Sequence, residues 1–165
     1  MAASSQTAKQ KRIFYALLLA AGIITADLWT KAWILSKYSN GELPEQVNGF
    51  FNLVLVLNSG VSFGFLRELG QYNAYILSLL AGAITLFLFI WLIREKAPSL
   101  FIHLALGSAI GGAIGNIIDR VRFGAVVDFV DLHAFGYHWP AFNVADSAIS
   151  IAMIALIILI FFKKN

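Results

Sequence analysis

The sequence predicts a membrane all-α bundle of four transmembrane helices, with a small extracytoplasmic β-sheet between the first and second. Three observations predict it. Of 165 residues, 59% are hydrophobic and only 13% charged, against roughly 25% charged in soluble domains. Four apolar runs lie along the chain, each long enough, at ~1.5 Å per residue, to suit a hydrocarbon core of roughly 30 Å. Between the first two runs, VNGFFNLVLVLNSGVSFGFL carries an Asn48-Gly49 hairpin signal and a β-branched, aromatic stretch over residues 50–57, the pattern of strands and not of another helix.

Taken in order, residues 1–12 are polar and basic and read as a disordered tail. The first span covers about 13–35 and is interrupted by Asp27 and Lys31. KQKR followed by apolar residues resembles the n- and h-regions of a cleaved targeting segment, but the apolar pattern resumes after Asp27 in LWTKAWIL, which favours a retained span. The sheet follows; with apolar residues on both faces, it either meets lipid or an apolar ligand or packs on the bundle. The second span covers about 72–93, Arg94, Glu95, Lys96 and Pro98 make a tight charged turn, and the third span covers about 100–118. The fourth, about 142–162, lies in FNVADSAISIAMIALIILIFFKK. With no repeat or linker visible, residues 1–165 read as one membrane-embedded domain.

Basic residues set the expected orientation. Lys9, Lys11, Arg12, Arg94, Lys96, Lys163 and Lys164 fall on one side of four spans, in short segments at the span ends, and Lys31, Lys37, Arg67, Arg120 and Arg122 on the other. The positive-inside rule then puts both termini in the cytoplasm. Of the acids only Glu95 shares that side; Asp27, Glu42, Glu45, Glu68, Asp119, Asp128, Asp131 and Asp146 are at or beyond the outer ends. Acids contribute little to insertion, so this asymmetry points to chemistry at the extracytoplasmic face. The absence of cysteine excludes disulfides and thiolate chemistry, and a net charge of +3 is too small to suggest nucleic acid.

Asp146 is the most exposed to question, because a carboxylate inside a membrane helix costs on the order of 2.5 to 3.5 kcal/mol at the centre and less near an end. One explanation is structural: Asn143 can cap the helix, and Asp146, three residues on, can reach back to free N–H groups. The other is functional. Asp128, within GAVVDFVDLH, is flanked by apolar residues, and the eighteen-residue separation allows the two carboxylates to meet. Like charges in a partly apolar site push one pKa upward, so such a pair shares a proton, one member taking a proton from water while the other polarises a carbonyl. That chemistry hydrolyses an amide without a metal. Gly107, Gly111 and Gly115 form a small-residue ridge that continues to Asp119, with Asn116 and Arg120 on the next stripe; for Asp119 a helix-end cluster with Arg120 is the preferred reading. His103 reads as a buried, hydrogen-bonded histidine, and Glu42, Glu45 and Glu68 as solvated loop charges. His133 and His138 with Asp128 and Asp131 offer a rival zinc site, unsupported by any HExxH helix.

The segments DLWTK (27–31), NSGVSF (58–63), GGAIGNIIDR (111–120), VVDF (126–129) and WPAFNVADS (139–147) together resemble the lipoprotein signal peptidase (signal peptidase II) family of bacterial membrane aspartyl proteases. The resemblance implies an endopeptidase that removes signal peptides from diacylglyceryl-modified prolipoproteins, cutting before the lipid-modified cysteine. It implies Asp128 and Asp146 as the catalytic dyad; Asn58, Gly60, Asn116, Arg120 and Asn143 as substrate-site residues; and Asp27, Lys31 and Asp119 as structural polar groups. Trp139 stands where an aromatic such as Phe is usual. No metal or other cofactor is implied, the partners are the prolipoprotein and membrane lipid, and the chain reads as a monomer of the bacterial inner membrane. A transporter that relays protons through its acids is the rival from another class, disfavoured because the acids gather at one face.

Overall fold

The computed structural model describes residues 2–42, 44–60 and 72–161. Its described elements run α1 (Ala2–Ser39), β1 (Glu45–Asn48), β2 (Phe51–Asn58), α2 (Tyr72–Arg94), α3 (Leu100–Phe123), β3 (Val126–Ala134), β4 (Tyr137–His138) and α4 (Val144–Phe161). Three helices, α1 to α3, are long and apolar enough to cross a membrane. The fourth is an apolar helix of 18 residues, about 27 Å of rise. On α2, Tyr75, Leu79, Leu80 and Phe87 are exposed, a surface that suits hydrocarbon and not water.

Helix α3 is the axis on which the others pack. A Cβ added to Gly107 would lie 2.3 Å from the Ala16 carbonyl oxygen, and one on Gly111 would lie 2.7 Å from that of Ala20. The glycine ridge therefore does what its spacing predicts: it lets the α1 backbone lie directly on α3. Gly112, on the adjacent stripe, meets Ala145 of α4 in the same way. The order of these contacts makes α1 and α3 parallel and α4 antiparallel to both. The C-terminal ends of α1 and α3 and the N-terminus of α4 consequently share one end of the bundle, while Leu88, Leu92, Ile102, Leu106, Ala152 and Leu156 form the apolar core behind it.

Two expectations need correction. Residues read as a disordered tail continue α1 back to Ala2; the segment holds no Gly or Pro and is rich in Ala, Gln, Lys and Arg, all good helix formers. The sheet, expected from the first connection alone, draws equally on the last. Its order is β1-β2-β3-β4 with every pair antiparallel, and β3–β4 replaces the loop expected over 131–139. VVDFVDLHA is a β-branched, aromatic run of the kind that marked β2. A two-residue turn with Phe135 and Gly136 both at positive φ closes the hairpin, as the twist of the flanking strands favours. Leu53 and Phe129 pack on Ile34 of α1, so one side of the sheet seats on the bundle, while Phe50, Val56 and Leu57 stay exposed.

Candidate active site

The start of α4 builds the site. Asn143, three residues after Pro140, caps the helix: its Oδ1 accepts the Asp146 N–H at 2.8 Å, while Asp146 Oδ2 accepts the Asn143 N–H at 3.3 Å. This is a reciprocal capping box, with Asp in place of Glu. The other oxygen of Asp146 is turned to α3, where Oδ1 accepts from the Asn116 amide at 2.8 Å. Asn143 also donates its side-chain amide to Asp128 Oδ1, at 2.7 Å. One residue thus binds both carboxylates. Asp128 Oδ2 accepts from Asn58 at 2.9 Å, and Asn58 is held by an Asx turn in which its Oδ1 accepts the Gly60 N–H at 3.0 Å. Gly60 serves there through its backbone, at φ 74° and with Leu77 filling the place a side chain would need.

Asp128 is buried and Asp146 half-buried. Loss of hydration pushes the Asp128 carboxyl up to about 6, and the negative charge of Asp146 adds to that rise, against the bonds from Asn58 and Asn143 that favour the ionised form. Beside Asp146 opens a cleft of about 510 Å³ lined by Trp139, Pro140, Phe142, Ser147 and Ile151. Its walls are largely apolar. Arg120 is half-buried and within electrostatic reach of Asp146 and Asp128, and its Nε has no hydrogen-bond partner among the described residues.

Below the carboxylates lies a second polar layer. Lys31 Nζ is 2.6 Å from Asp27 Oδ2, 2.9 Å from Asp119 Oδ2 and 3.1 Å from Asn116 Oδ1, all buried. Asp27 Oδ1 accepts the Ala145 N–H at 2.9 Å and Asp119 Oδ2 the Val127 N–H at 3.0 Å. These carboxylates therefore tie α1 to the start of α4, and α3 to the start of β3. Asp119 is not the helix-end surface partner of Arg120 that its neighbour suggested: its ammonium partner comes from α1, invisible to a local reading.

Other expectations resolve individually. His103 is buried, its Nδ1 2.8 Å from the Ser99 carbonyl oxygen. Glu42 is exposed and Glu45 half-buried, and neither is free, since both pair with Lys37. Glu68, Arg67 and the last three residues of NSGVSF lie outside the described residues. The rival metal set does not assemble as drawn. His138 pairs with Asp131 at 2.9 Å and stacks on His133 at 5.0 Å, whereas Asp128 faces amides. Sequence reasoning passed over the partner of Asp131, Asn52, which donates to it at 2.8 Å across the sheet; the register Asn52↔Asp131 that joins them becomes visible only once β3 is known to be a strand.

This arrangement has relatives. Residues 19–162 match the family described as signal peptidase (SPase) II. A lipoprotein signal peptidase of Ralstonia nicotianae is 44% identical over 135 residues, 82% of this chain and 77% of the relative. One of Oleidesulfovibrio alaskensis is 41% identical over 140 residues, 85% and 90% of the two chains. A solved chain described as a bacterial membrane enzyme structure by the in meso method at 1.9 Å resolution superposes with a TM-score of 0.76 at 30% identity, covering 92% of this chain and 94% of the other. With a match across most of its length, and the residues of its matched segments gathered at one end of its bundle, the chain belongs to the signal peptidase II family and is a membrane protease.

Proposed function

We propose that the protein is an aspartyl endopeptidase that removes signal peptides from diacylglyceryl-modified prolipoproteins, with Asp128 and Asp146 as its catalytic pair. The observation that carries this reading is Asn143, which bonds both carboxylates and fixes them about one point beside an apolar cleft. On this reading the chain has four spans with both termini cytoplasmic, and that point lies at the extracytoplasmic face of the inner membrane, where a lipid-anchored substrate arrives; the clustering of basic residues at the other span ends supports it. The pair carries one proton. The ionised carboxylate takes a proton from water as its oxygen attacks the scissile carbonyl, and the protonated carboxyl donates a hydrogen bond to the carbonyl oxygen. Collapse breaks the C–N bond, and the proton passes to the leaving nitrogen, giving acid and amine with the pair restored. No covalent intermediate, metal or cofactor enters.

Arg120 and Asn116 border the pair and suit substrate polar groups, and the cleft beside Trp139 and Ile151 suits apolar side or acyl chains. The test is cleavage of diacylglyceryl-modified prolipoprotein by purified protein. Asp128→Asn and Asp146→Asn, nearly isosteric and in the second case still able to cap, are each expected to lower the rate on the order of 10³-fold with folded yield maintained. Near wild-type cleavage by Asp146→Asn would leave that residue a cap and refute the reading.

A further inference from the structure

An amide carries an acceptor at one end and donors at the other, and which end faces a carboxylate decides whether the contact attracts or repels. Asn116 has three neighbours that bear on this. Its Oδ1 lies 3.1 Å from Lys31 Nζ and 3.2 Å from the Asn143 amide nitrogen, both donors, and its Nδ2 lies 2.8 Å from Asp146 Oδ1. Asn143 is the weaker of the two donors to that oxygen, because its NH2 is shared with Asp128 Oδ1 at 2.7 Å and the Val127 carbonyl oxygen at 3.3 Å. The ammonium has no acceptor capacity, so it admits only the oxygen of Asn116.

We propose that Lys31 is a positioning residue for the hydrolytic reaction: by claiming the Asn116 amide oxygen, it turns the Asn116 N–H donor onto Asp146 and holds that carboxylate in the orientation the reaction uses. The proposal rests on the dyad reading above. Lys31 bonds neither carboxylate of the pair; its charge favours the ionised form of Asp128, and its hold on Asp146 runs through Asn116. Its other bonds, to Asp27 and Asp119, aim the ammonium from two sides, and both carboxylates are anchored by backbone N–H groups of Ala145 and Val127. The aim is therefore referred to the two segments that bear Asp146 and Asp128. Without the ammonium the Asn116 oxygen loses the neighbour that admits no other orientation, and the amide can turn that oxygen to Asp146 Oδ1, where two acceptors oppose each other and the carboxylate loses its donor.

Removing Lys31 alone strands two buried carboxylates, so the test uses two paired variants that remove one negative charge with the positive one, Lys31→Met/Asp27→Asn and Lys31→Met/Asp119→Asn. In each, the new asparagine keeps an oxygen for its backbone N–H. Folded yield, melting temperature, kcat and KM are measured, the last two on diacylglyceryl-modified prolipoprotein. The expected result is a kcat lowered about 10- to 100-fold, as loss of an outer partner of an active group commonly gives, with KM within about twofold. Asp119→Asn alone, whose oxygen can still accept from both Lys31 Nζ and the Val127 N–H, is expected to lose less kcat than its paired variant. Wild-type kcat in either folded paired variant overturns the proposal, as does activity that in both merely follows the amount of folded protein. Inactive Asp128→Asn and Asp146→Asn beside fully active paired variants would defeat this inference and leave the dyad standing; active dyad variants would defeat the dyad itself.

Discussion

Asp128 and Asp131 stand three residues apart on one strand, and the strand treats them oppositely. Asp128 is buried against α4, bonded by Asn58 and Asn143, and its carboxyl is pushed up to about 6. Asp131 lies toward the hairpin, where donation from Asn52 and then from His138 holds its carboxyl below the usual range. An odd spacing on a strand sends two side chains to opposite faces, so a separation of three gives the carboxylates different partners, Asn58 and Asn143 for Asp128 and Asn52 and His138 for Asp131. Residue type alone does not mark a catalyst. What distinguishes Asp128 is a second carboxylate on the same polar hub and too little water to hydrate both.

The sharpest contrast is expected on removing that hub. Asn143→Ala deletes the side-chain cap of α4, worth about 0.5 to 2 kcal/mol, and the amide bonded to Asp128, a bond to a charged group worth about 1.5 to 3 kcal/mol, and is expected to lower cleavage at least about 100-fold together with the melting temperature. Asn52→Ala, which removes the corresponding amide from Asp131, is expected to leave cleavage within about twofold. Equal losses from the two would erase the distinction between the carboxylates.

Next in size is the response of stability to pH, where the two differ in sign. Asp128 binds its proton more tightly in the folded protein than in the unfolded chain, so its contribution is full below about pH 3.8 and is lost as pH rises through about 6. Relative to Asp128→Asn, the wild-type protein is therefore expected to lose melting temperature between pH 4 and pH 7, an effect of about 3 kcal/mol at most. The lowered pKa of Asp131 works the other way: its contribution is present above the ordinary carboxylate range and fades as pH falls through the folded value. The gap between wild type and Asp131→Asn is expected to narrow on acidification. Parallel curves for the two variants would contradict the assignment of environments.

Much of this was legible in the chain. Gly107, Gly111 and Gly115 announce a close helix seam by spacing alone, Asn143 and Asp146 announce a cap, and the β-branched run after Asn48-Gly49 announces a strand. Local patterns of this kind report on their own element. VVDFVDLHA carries the β-branched, aromatic signal of β3 too, but its two aspartates weaken the strand pattern, since Asp is depleted in strands. The polar layer was not legible. Lys31 and Asn116 are 85 residues apart, and nothing near either indicates that an ammonium in α1 meets an amide in α3; only the parallel packing of the two helices brings them level. The partner of Asp119 was misassigned for the same reason.

The smallest effects are expected near the β3–β4 hairpin. His133→Ala, His138→Ala and Asp131→Asn should each retain cleavage within about two- to threefold, and extensive chelation should change it no more. Loss on chelation with recovery on adding zinc would move the chemistry to the histidine side of β3 and reverse the roles of its two carboxylates.

The central claim is that Asp128 and Asp146 act as one unit. The measurement that tests it most directly is the rate of prolipoprotein cleavage by Asp128→Asn, Asp146→Asn and the double substitution, each corrected for folded protein. Groups that act together are lost together, so each single variant is expected to fall on the order of 10³-fold and the double variant to be less than about tenfold slower than the slower single one. A double variant whose loss equals the product of the two single losses, on the order of 10⁶-fold, would show two carboxylates working independently and would contradict the account.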